Sequence, residues 1–313
     1  MTVRAKVCVL GSANMDLVVQ VARAPALGET VSGHAFEQVV GGKGVNQALA
    51  AARAGADVTM LGAVGDDAHG AAVRRLLASQ GVDVDGLGIV EVRTGTAHIT
   101  VDGHGRNSIV VVPGANGAVG GLTERRRAAI EAADVLLLQL ELPIEVVVEA
   151  ALHARTVGTR VVLTPAPVVP VPDQLLGALD LLVPNEHEAA LLTATDSAAE
   201  SARALVSRGV DAAAVTRGEE GVYYLDQHGE LAVPARRVPV IDTTGAGDTF
   251  VGCLAVAVAE GRPMPEALRW ATTAAALSVQ RFGASTSMPE RDRIDDADLT
   301  RALDQPEERD PDD

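Results

Sequence analysis

Aromatic residues are almost absent from this sequence: Phe, Tyr and Trp make up 2% of its 313 residues, although 47% of the residues are hydrophobic. The core must therefore be packed mainly with Ala, Val and Leu, which suits buried parallel strands and closely packed helices. A chain of this length can bury a substantial core, in one large α/β domain or in a main domain with a small appendage.

Cysteine is scarce as well, because Cys8 and Cys253 are the only two and each lies in a short apolar run. We interpret both as small buried hydrophobic residues rather than metal ligands or a disulfide, which fits a reducing compartment. No apolar run reaches the roughly 18 residues that a membrane span requires, and the N-terminus lacks the pattern of a secretory signal. These absences predict a cytoplasmic protein with no membrane partner.

Basic residues are outnumbered, with 26 Lys and Arg against 42 Asp and Glu, and the formal net charge is −16. Nucleic-acid binding needs a basic surface, and the one dense basic run, 125–127, is typical of a solvated helix face, so the charge argues against a nucleic-acid partner. Residues 291–313 form an acidic C-terminal segment in which Pro306 and Pro311 interrupt any helix. We expect its end to be a frayed tail.

Short apolar runs rich in Val and Leu alternate with Ala-rich stretches of helical periodicity. The predicted strands are 6–10, 58–61, 135–138, 161–163, 179–183 and 212–215, and the predicted helices are 46–54, 70–79, 144–153 and 198–207. This alternation predicts an α/β fold, a doubly wound and mostly parallel sheet with helices on both faces.

Two regions break the alternation. Residues 16–40 have no helical period, and residues 94–112 contain two predicted strands around a glycine-containing turn. Together they predict a small antiparallel β lid over the carboxyl ends of the parallel strands, where open α/β folds bind ligands. The expected main domain then comprises residues 1–15, 41–93 and 113–290.

The strongest chemical signal is the run Gly245-Ala246-Gly247-Asp248, which precedes an apolar helical stretch. Glycines let the backbone approach a ligand, and a helix N-terminus presents unpaired N–H groups with a partial positive charge. The amides of Gly245, Ala246 and Gly247 therefore suit an anion site facing a transferring phosphoryl group. Asp248 suits a base that takes the proton of a substrate hydroxyl. The alternative is that Asp248 only caps the helix.

A second glycine run, residues 41–46, also opens onto a helix but does not follow the spacing of a P-loop. Lys43 and Asn46 can donate to the hydroxyls of a polyol while Gly42 lets the backbone come near; a tight turn with a solvated lysine is the alternative. Asn14 and Asp16 follow the first predicted strand. There Asp16 can accept from two adjacent hydroxyls or can form an Asx turn.

Other strand ends also carry polar residues. Glu141 is a further carboxylate after a buried run, whereas the dinucleotide fingerprint G-x-G-x-x-G is missing after the first strand. Asn185 and Glu188, three residues apart at the start of a helix, can hold a hydrated Mg²⁺, or can simply cap that helix.

Together these motifs resemble the ribokinase branch of the PfkB carbohydrate kinase family. The resemblance covers residues 7–289: the run 242–250 is typical of the whole family, and the run 41–48 is typical of the ribokinase branch. It also includes residues 11–16, 28–30, 65–67, 139–141, 184–186 and 281–284 with Ser287. The resemblance implies ATP-dependent phosphorylation of D-ribose at the 5-hydroxyl, with Asp248 as the general base.

The resemblance also implies the members of each binding site. The sugar would be held by Asn14, Asp16, Gly42, Lys43, Asn46, Glu141 and Asp248. ATP would be held by Asn185, Thr216, Arg217, Gly218, Glu219, Glu220, Gly221, Gly247 and Thr272. Asn185 and Glu188 would serve Mg²⁺ indirectly. An activating K⁺ would be held, in part through backbone carbonyls, by Asp242, Thr244, Ser278, Arg281, Gly283 and Ser287.

For the lid, the resemblance implies an apolar underside of Ala97, Ile99 and Ile109 or Val111, and a homodimer in which two lids pair. The sequence departs from the ribokinase pattern at residues 164–167, which read Thr-Pro-Ala-Pro where the first residue is usually Asn, and at His98, a lid position that is more often aliphatic. Neither is expected to touch the assigned chemistry. The alternatives are a sibling kinase for deoxyribose, fructose, a keto-deoxy sugar acid or a nucleoside, and a sugar-binding protein without turnover.

Overall fold

The computed structural model describes residues 4–304. Its strands are β1 (Lys6–Leu10), β2 (Asn14–Val21), β3 (Gly33–Gly41), β4 (Asp57–Gly65), β5 (Leu87–Val90), β6 (Gly95–Val101), β7 (Asn107–Val112), β8 (Val135–Gln139), β9 (Arg160–Thr164), β10 (Leu181–Leu182), β11 (Ala213–Thr216), β12 (Val222–Asp226) and β13 (Gly229–Val233). Its α-helices are α1 (Lys43–Arg53), α2 (Ala68–Ser79), α3 (Glu124–Glu131), α4 (Ile144–Val157), α5 (Asp173–Leu176), α6 (Glu186–Thr193), α7 (Ala198–Ser207), α8 (Ala246–Ala259), α9 (Met264–Ser278) and α10 (Arg291–Asp304).

A nine-stranded sheet runs through the described part of the chain in the spatial order β13-β12-β11-β10-β9-β8-β1-β4-β5. The seven strands from β11 to β5 are parallel, and β12 and β13 add an antiparallel hairpin at one edge. The predicted fold class is therefore confirmed. Each predicted strand carries the apolar run that a strand needs when helices cover both of its faces.

Helices pack on both faces of this sheet and create two cores. Successive side chains of β1 point to opposite faces, so that Val7 and Val9 pack with residues of α1, α8 and α9, whereas Cys8 and Leu10 pack with residues of α4. Cys8 and Cys253 are both buried free thiols, as their apolar surroundings predict.

The helices α1 and α8 approach each other closely at Gly252. A Cβ atom at that position would lie 2.6 Å from the Cβ of Ala50 and 2.7 Å from the carbonyl oxygen of Gln47. Only a glycine therefore allows this separation, which brings the first turn of α1 beside the first turn of α8.

The residues predicted to form the lid, which are called the lid below, build a four-stranded sheet in the order β3-β2-β6-β7. Its two outer pairs are antiparallel, but the central pair, β2 and β6, is parallel because both strands start at the main domain, where Asn14 pairs with Gly95. Asp16, Ala97 and Val111 are in register across three strands. They therefore share one face of the lid with Ile99 and Ile109.

The C-terminal segment contains a helix that the sequence patterns did not predict. Residues 291–304 form α10, which ends before Pro306. The helix docks because Ile294 is fully buried and because the indole N–H of Trp270 donates to Asp295 at 2.7 Å. Pro306, Pro311 and the expected frayed tail lie outside the described residues. Among residues 4–304, no helix combines the length and apolarity that a membrane span requires.

Candidate active site

A cavity of about 210 Å³ lies at the carboxyl ends of β9, β10 and β11. The N-termini of α1, α6 and α8 reach it together, because the residues that line it are Lys43, Thr164, Val183, Asn185, Glu188, Thr216, Gly245, Gly247, Asp248 and Val251. Helix N-termini carry partial positive charge, so three of them at one cavity favour an anionic ligand.

Asp248 is partly buried at this cavity and accepts two hydrogen bonds from α1. Its Oδ2 accepts from the Asn46 amide at 2.9 Å and its Oδ1 from the Gln47 amide at 3.1 Å. The N-cap of α8 is Gly245, without a side-chain capping bond, so the alternative that Asp248 only caps the helix is wrong. Burial raises the pKa of Asp248, and Lys43, Asn46 and Gln47 oppose that rise.

Lys43 is the cation of the site. Burial disfavours its charge, but the carboxylates of Asp248, Glu141, Glu188 and Asp16 outweigh burial and raise the pKa of Lys43 above its usual value. The ammonium group therefore stays charged at neutral pH. Its position beside carboxylates on both sides lets it hold anionic and hydroxyl groups in one place.

Gly41 and Gly42, just before α1, lie so close to neighbouring atoms that a side chain would not fit. Gly42 has φ of 93°, and a Cβ atom there would lie 2.9 Å from both the Asn14 nitrogen and the Ser12 carbonyl oxygen. A Cβ atom at Gly41 would lie 2.2 Å from Oδ2 of Asp16. The run thus packs directly under Asp16, and this contact brings the two sequence-predicted sugar motifs together.

The carboxyl group of Asp16 has a pKa above its usual value. Burial first, and then the charges of Glu141 and Asp248, raise its pKa to about 6, against the partial opposition of Lys43. Glu141 accepts hydrogen bonds from the Ser12 hydroxyl and, at 3.4 Å, from the Lys43 backbone N–H. Three carboxylates therefore share a small space with a single lysine.

This crowding predicts the effect of Asp16→Asn on stability. The unfolded carboxyl titrates near 3.8 and the folded one near 6, so the folded chain binds more protons between these values and loses stability as pH rises. Asp16→Asn removes that loss and should raise the free energy of unfolding by on the order of 2 kcal/mol at pH 8. Urea denaturation at pH 8 and pH 4 measures it.

The gain should fall to well below 1 kcal/mol at pH 4, where the folded carboxyl is protonated and the unfolded one is only about half ionised. Asp292→Asn, on an exposed position of α10, is the matched control and should change stability little at either pH. Equal gains for Asp16→Asn at both pH values would contradict the raised pKa.

Asn14 is buried at the start of β2, where its Oδ1 accepts from the Asn116 amide at 2.7 Å. Asn116 also accepts from the backbone N–H of Ala13 at 2.9 Å. Asn116 therefore fixes the turn that leads from β1 to Asp16, and sequence reasoning missed it because it lies far away in the chain, in a short 3₁₀ helix (Gly114–Ala118).

The cavity is also lined by three of the predicted nucleotide contacts, Asn185, Thr216 and Gly247. The chain continues from Thr216 into a 3₁₀ turn (Gly218–Glu220), closed by a 2.7 Å bond from the Arg217 N–H to the Gly221 carbonyl. Arg217 pairs with Glu220 within this turn, and Glu219 lies between its ends. Thr272 is buried on α9 and donates to the Leu268 carbonyl, so the structure does not bring it to the cavity wall.

Asn185 and Glu188 form a complete capping box at the start of α6. The Asn185 side chain accepts from the Glu188 N–H at 2.8 Å, and the Glu188 carboxylate accepts from the Asn185 N–H at 2.9 Å. The helix-capping alternative is thus what the structure has, although both side chains also line the cavity. Within residues 4–304, no three His, Cys, Asp or Glu side chains cluster closely enough to hold a metal ion.

The predicted K⁺ ligands come from two segments that are joined. Asp242 accepts from the Thr244 N–H at 2.9 Å, from its hydroxyl at 2.6 Å, and from the Gly283 N–H at 2.8 Å. Burial alone would raise the pKa of Asp242, but these bonds lower it overall. The hydroxyls of Ser278 and Ser287 donate to the carbonyls of Ala275 and Ala284, and the Arg281 N–H donates to the Ser278 carbonyl.

The glycine run before α8 is shaped by the second of these segments. Gly245 has φ of 74°, and a Cβ atom there would lie 2.8 Å from the Cβ of Ala284. The Ala246 N–H donates to the Thr243 carbonyl at 3.2 Å, so this amide is already engaged. Gly247 has open space where a side chain would project. Of the three predicted anion-binding amides, Gly247 is therefore the most accessible to a ligand.

Several polar residues at the site were not assigned from the sequence, namely Ser12, Gln47, Asn116, Gln139 and Thr164. Thr164 overturns one expectation, because its hydroxyl accepts from Gln47, which also donates to Asp248. The departure at residue 164 thus does touch the assigned chemistry. A signal existed for Gln47 and Gln139, since each is an amide within an otherwise apolar run.

Known proteins resemble this chain in both sequence and fold. The pfkB family carbohydrate kinase domain matches residues 4–291. The ribokinase of Bacillus subtilis (strain 168) is 41% identical over 292 residues, which cover 93% of this chain and 98% of that protein. The deoxyribokinase of Salmonella typhi is 35% identical over 291 residues, covering 90% and 95%.

Among solved structures, Arabidopsis thaliana ribokinase complexed with ribose and ATP superimposes with a TM-score of 0.89 at 33% identity, covering 95% of this chain and 99% of that one. The expected resemblance is confirmed over nearly the whole chain. The chain therefore belongs to the pfkB family of carbohydrate kinases.

Proposed function

We propose that this protein transfers the γ-phosphoryl group of ATP to the 5-hydroxyl of D-ribose, giving D-ribose 5-phosphate and ADP. The observation that carries the proposal is the position of Asp248, which is held by two amides of α1 at the N-terminus of α8 and lines the same cavity as Lys43. The ribokinase relatives, of nearly the same length as this chain, support the same activity.

In this reaction Asp248 accepts the proton of the sugar hydroxyl as the new bond to phosphorus forms. Lys43 and the hydrogen bonds from Asn46 and Gln47 favour its ionised form against burial. The Gly247 amide and the α8 dipole face the negative charge of the phosphoryl group. Asp16, Glu141 and Lys43 would hold the remaining hydroxyls of the sugar.

Asn185 and Glu188 fit an indirect role toward Mg²⁺, since their capping box keeps both side chains at the cavity wall and Mg²⁺ retains several waters in proteins. When bound, the ion neutralises charge on the phosphate oxygens. Thr216 and the turn that follows it offer backbone groups to the nucleotide.

The segments around Asp242 and Gly283 fit a monovalent cation. Their direct hydrogen bond brings backbone carbonyls and hydroxyls of both segments together, and these are the hard oxygen donors that K⁺ prefers. We expect K⁺ to stabilise the joined segments and, through Gly245 and Ala284, the start of α8.

A second copy of the chain would cover the lid. All six residues of β7 are exposed, including Ile109, Val110, Val111 and Val112, and β7 is the edge strand of its sheet. An exposed apolar edge strand favours pairing with another chain. We therefore propose a homodimer, which a monomeric mass by sedimentation at micromolar concentration would contradict. We also propose that the protein acts in the cytoplasm.

A coupled ADP-release assay over several sugars tests the proposed function. D-ribose should give the highest kcat/KM, exceeding 2-deoxyribose by at least about tenfold, because a site built to hydrogen-bond a hydroxyl rejects the analogue that lacks it. Replacing K⁺ with Na⁺ should lower kcat with ribose severalfold.

The competing outcomes are distinct. If deoxyribose, fructose, a keto-deoxy sugar acid or a nucleoside exceeds ribose tenfold, the substrate proposal is wrong, and the deoxyribokinase relative makes deoxyribose the foremost rival. Binding of ribose without ADP release would indicate a sugar-binding protein. Equal rates in K⁺ and Na⁺ would remove the cation from the proposal while leaving the kinase intact.

A further inference from the structure

Two glutamine amides lead to Asp248 through hydrogen bonds and do not line the cavity. Gln47 of α1 and Gln139 at the end of β8 are both fully buried. The Gln139 Nε2 donates to the Gln47 Oε1 at 2.7 Å, and the Gln47 Nε2 donates to both Asp248 Oδ1 at 3.1 Å and Thr164 Oγ1 at 3.2 Å. A buried chain of hydrogen bonds therefore runs from β8 through α1 to Asp248.

The donors and acceptors in this series of hydrogen bonds can be arranged in only one direction. The ionised Asp248 only accepts, so Gln47 must turn its NH₂ group toward it, and its carbonyl oxygen then faces Gln139. Gln139 must in turn present its own NH₂ group to Gln47. Its remaining oxygen, Oε1, is buried beside Gly11 and has no hydrogen-bond partner among residues 4–304.

An unpaired buried acceptor is costly for a fold, and apolar side chains at both positions 47 and 139 would avoid it. The Gln139 amide is nevertheless the donor that orients Gln47. The Gln139 oxygen thus has no hydrogen bond, while the Gln139 NH₂ group holds Gln47 in a defined orientation. Such an arrangement is typical where function constrains a buried polar group.

We propose that Gln139 is a positioning residue for phosphoryl transfer, which acts through Gln47 to hold the Asp248 carboxylate in the rotamer and ionisation state that the base requires. The inference rests on the proposed kinase function. Gln139 does not line the cavity and has no hydrogen bond to Asp248, so its hydrogen-bonded link to the base runs through the Gln47 amide.

The charges facing Asp248 come from several elements and stay unchanged when Gln139 is altered. Lys43 lies on α1 and favours the ionised carboxylate, whereas Glu141, after β8, disfavours it, and Asp16 of β2 lies close enough to interact with Asp248. Gln47 lowers the pKa of Asp248 by donating to it. Loss of that bond should therefore raise the pH at which the base becomes active.

Gln139→Met tests the proposal with the full-length protein and D-ribose. We expect kcat to fall by about tenfold or more, because a displaced base reacts poorly, while KM for ribose changes less than about threefold. The acidic limb of the pH profile of kcat should move to higher pH. The melting temperature should change little, because the variant exchanges one unpaired buried acceptor, Gln139 Oε1, for another, Gln47 Oε1.

A double-mutant comparison separates this role from a general packing effect. If Gln139 acts through Gln47, then Gln139→Met should cause no further loss of kcat in a Gln47→Met background. A loss of the same factor in both backgrounds would overturn the proposal. So would an unchanged kcat and pH profile for Gln139→Met alone.

Gln139→Glu provides a further test in which the volume of the side chain is preserved. Its protonated carboxyl donates to Gln47 as the amide did, whereas its ionised form cannot, so kcat should gain a new alkaline limb that the parent lacks. A profile parallel to that of the parent would overturn the proposal. Inactivity of the parent with ribose would instead contradict the proposed function, so the two failures are distinguishable.

Discussion

Asp248→Asn is expected to lower kcat by about 10²- to 10⁴-fold, which is the range that a positioned proton acceptor contributes. The physical reason lies in the two hydrogen bonds from α1, because Asn46 and Gln47 both donate to the carboxylate. An amide has one acceptor, so one of these donors would face an NH₂ group. The variant thus loses the base and also turns one neighbour away.

Ribose binding should survive this change, since Asp16, Lys43 and Glu141 remain in place. Calorimetric titration should give a Kd for ribose within about threefold of the parent, because an amide still offers one hydrogen bond to the sugar. Asp292→Asn makes the same chemical change on the exposed face of α10 and serves as the control. Turnover above a tenth of the parent rate would exclude Asp248 from proton transfer.

Much of the fold follows from sequence patterns because its strands are buried on both faces. A run such as residues 135–138 is apolar throughout, and a strand with helices on both sides needs such a run. Amphipathic helices with clear caps are equally predictable. Helix α7 begins and ends where its periodicity does, and Ser197 caps it through the Glu200 N–H.

Other elements depend on contacts that sequence patterns do not contain. The strands β12 and β13 are half exposed at the edge of the sheet, so they lack a continuous apolar run. Helix α10 has a polar sequence and forms by docking Ile294 and by hydrogen bonding to Trp270. The parallel pairing of β2 with β6 depends on where both strands leave the main domain.

The candidate site divides in the same way. Groups proposed to act directly on a ligand, such as Lys43 and Asp248, lie at glycine-rich helix starts, and this local chemistry is visible in the sequence. Groups proposed to act through another side chain are not visible in the sequence. Gln139, for example, is linked to Asp248 only after β8 and α1 pack together. The capping box of Asn185 and Glu188 is a different case. Its local sequence pattern fits both a helix cap and an indirect Mg²⁺ site, and the structure shows the capping bonds.

Gly247→Leu should abolish turnover without harming the fold. Gly247 lines the cavity, nothing in the described chain lies within 4 Å of the place a Cβ atom would take, and its φ is not in the left-handed region. The leucine side chain would therefore enter the space proposed for the transferring phosphoryl group. We expect kcat/KM for ATP to fall by at least about 100-fold, since misplacing the reacting groups by about 1 Å suffices for that loss.

The stability of the Gly247→Leu variant should not fall with its activity. Leucine favours a helix over glycine by roughly 0.5–1 kcal/mol, so the melting temperature should stay level or rise slightly. Gly245→Ala is the contrasting variant, because its φ of 74° and the nearby Ala284 leave no room for a methyl group. It should lower the free energy of unfolding by about 1–3 kcal/mol.

These two glycines separate what the backbone turn does for the fold from what it does for the ligand. Gly247→Ala should give a smaller loss of about tenfold in kcat/KM for ATP, because a methyl group fills less of the cavity. Thermal unfolding and steady-state kinetics on all three variants measure both effects. If Gly247→Leu keeps the parent kcat/KM, the phosphoryl group does not pass over the start of α8, and the anion site must be sought elsewhere in the cavity.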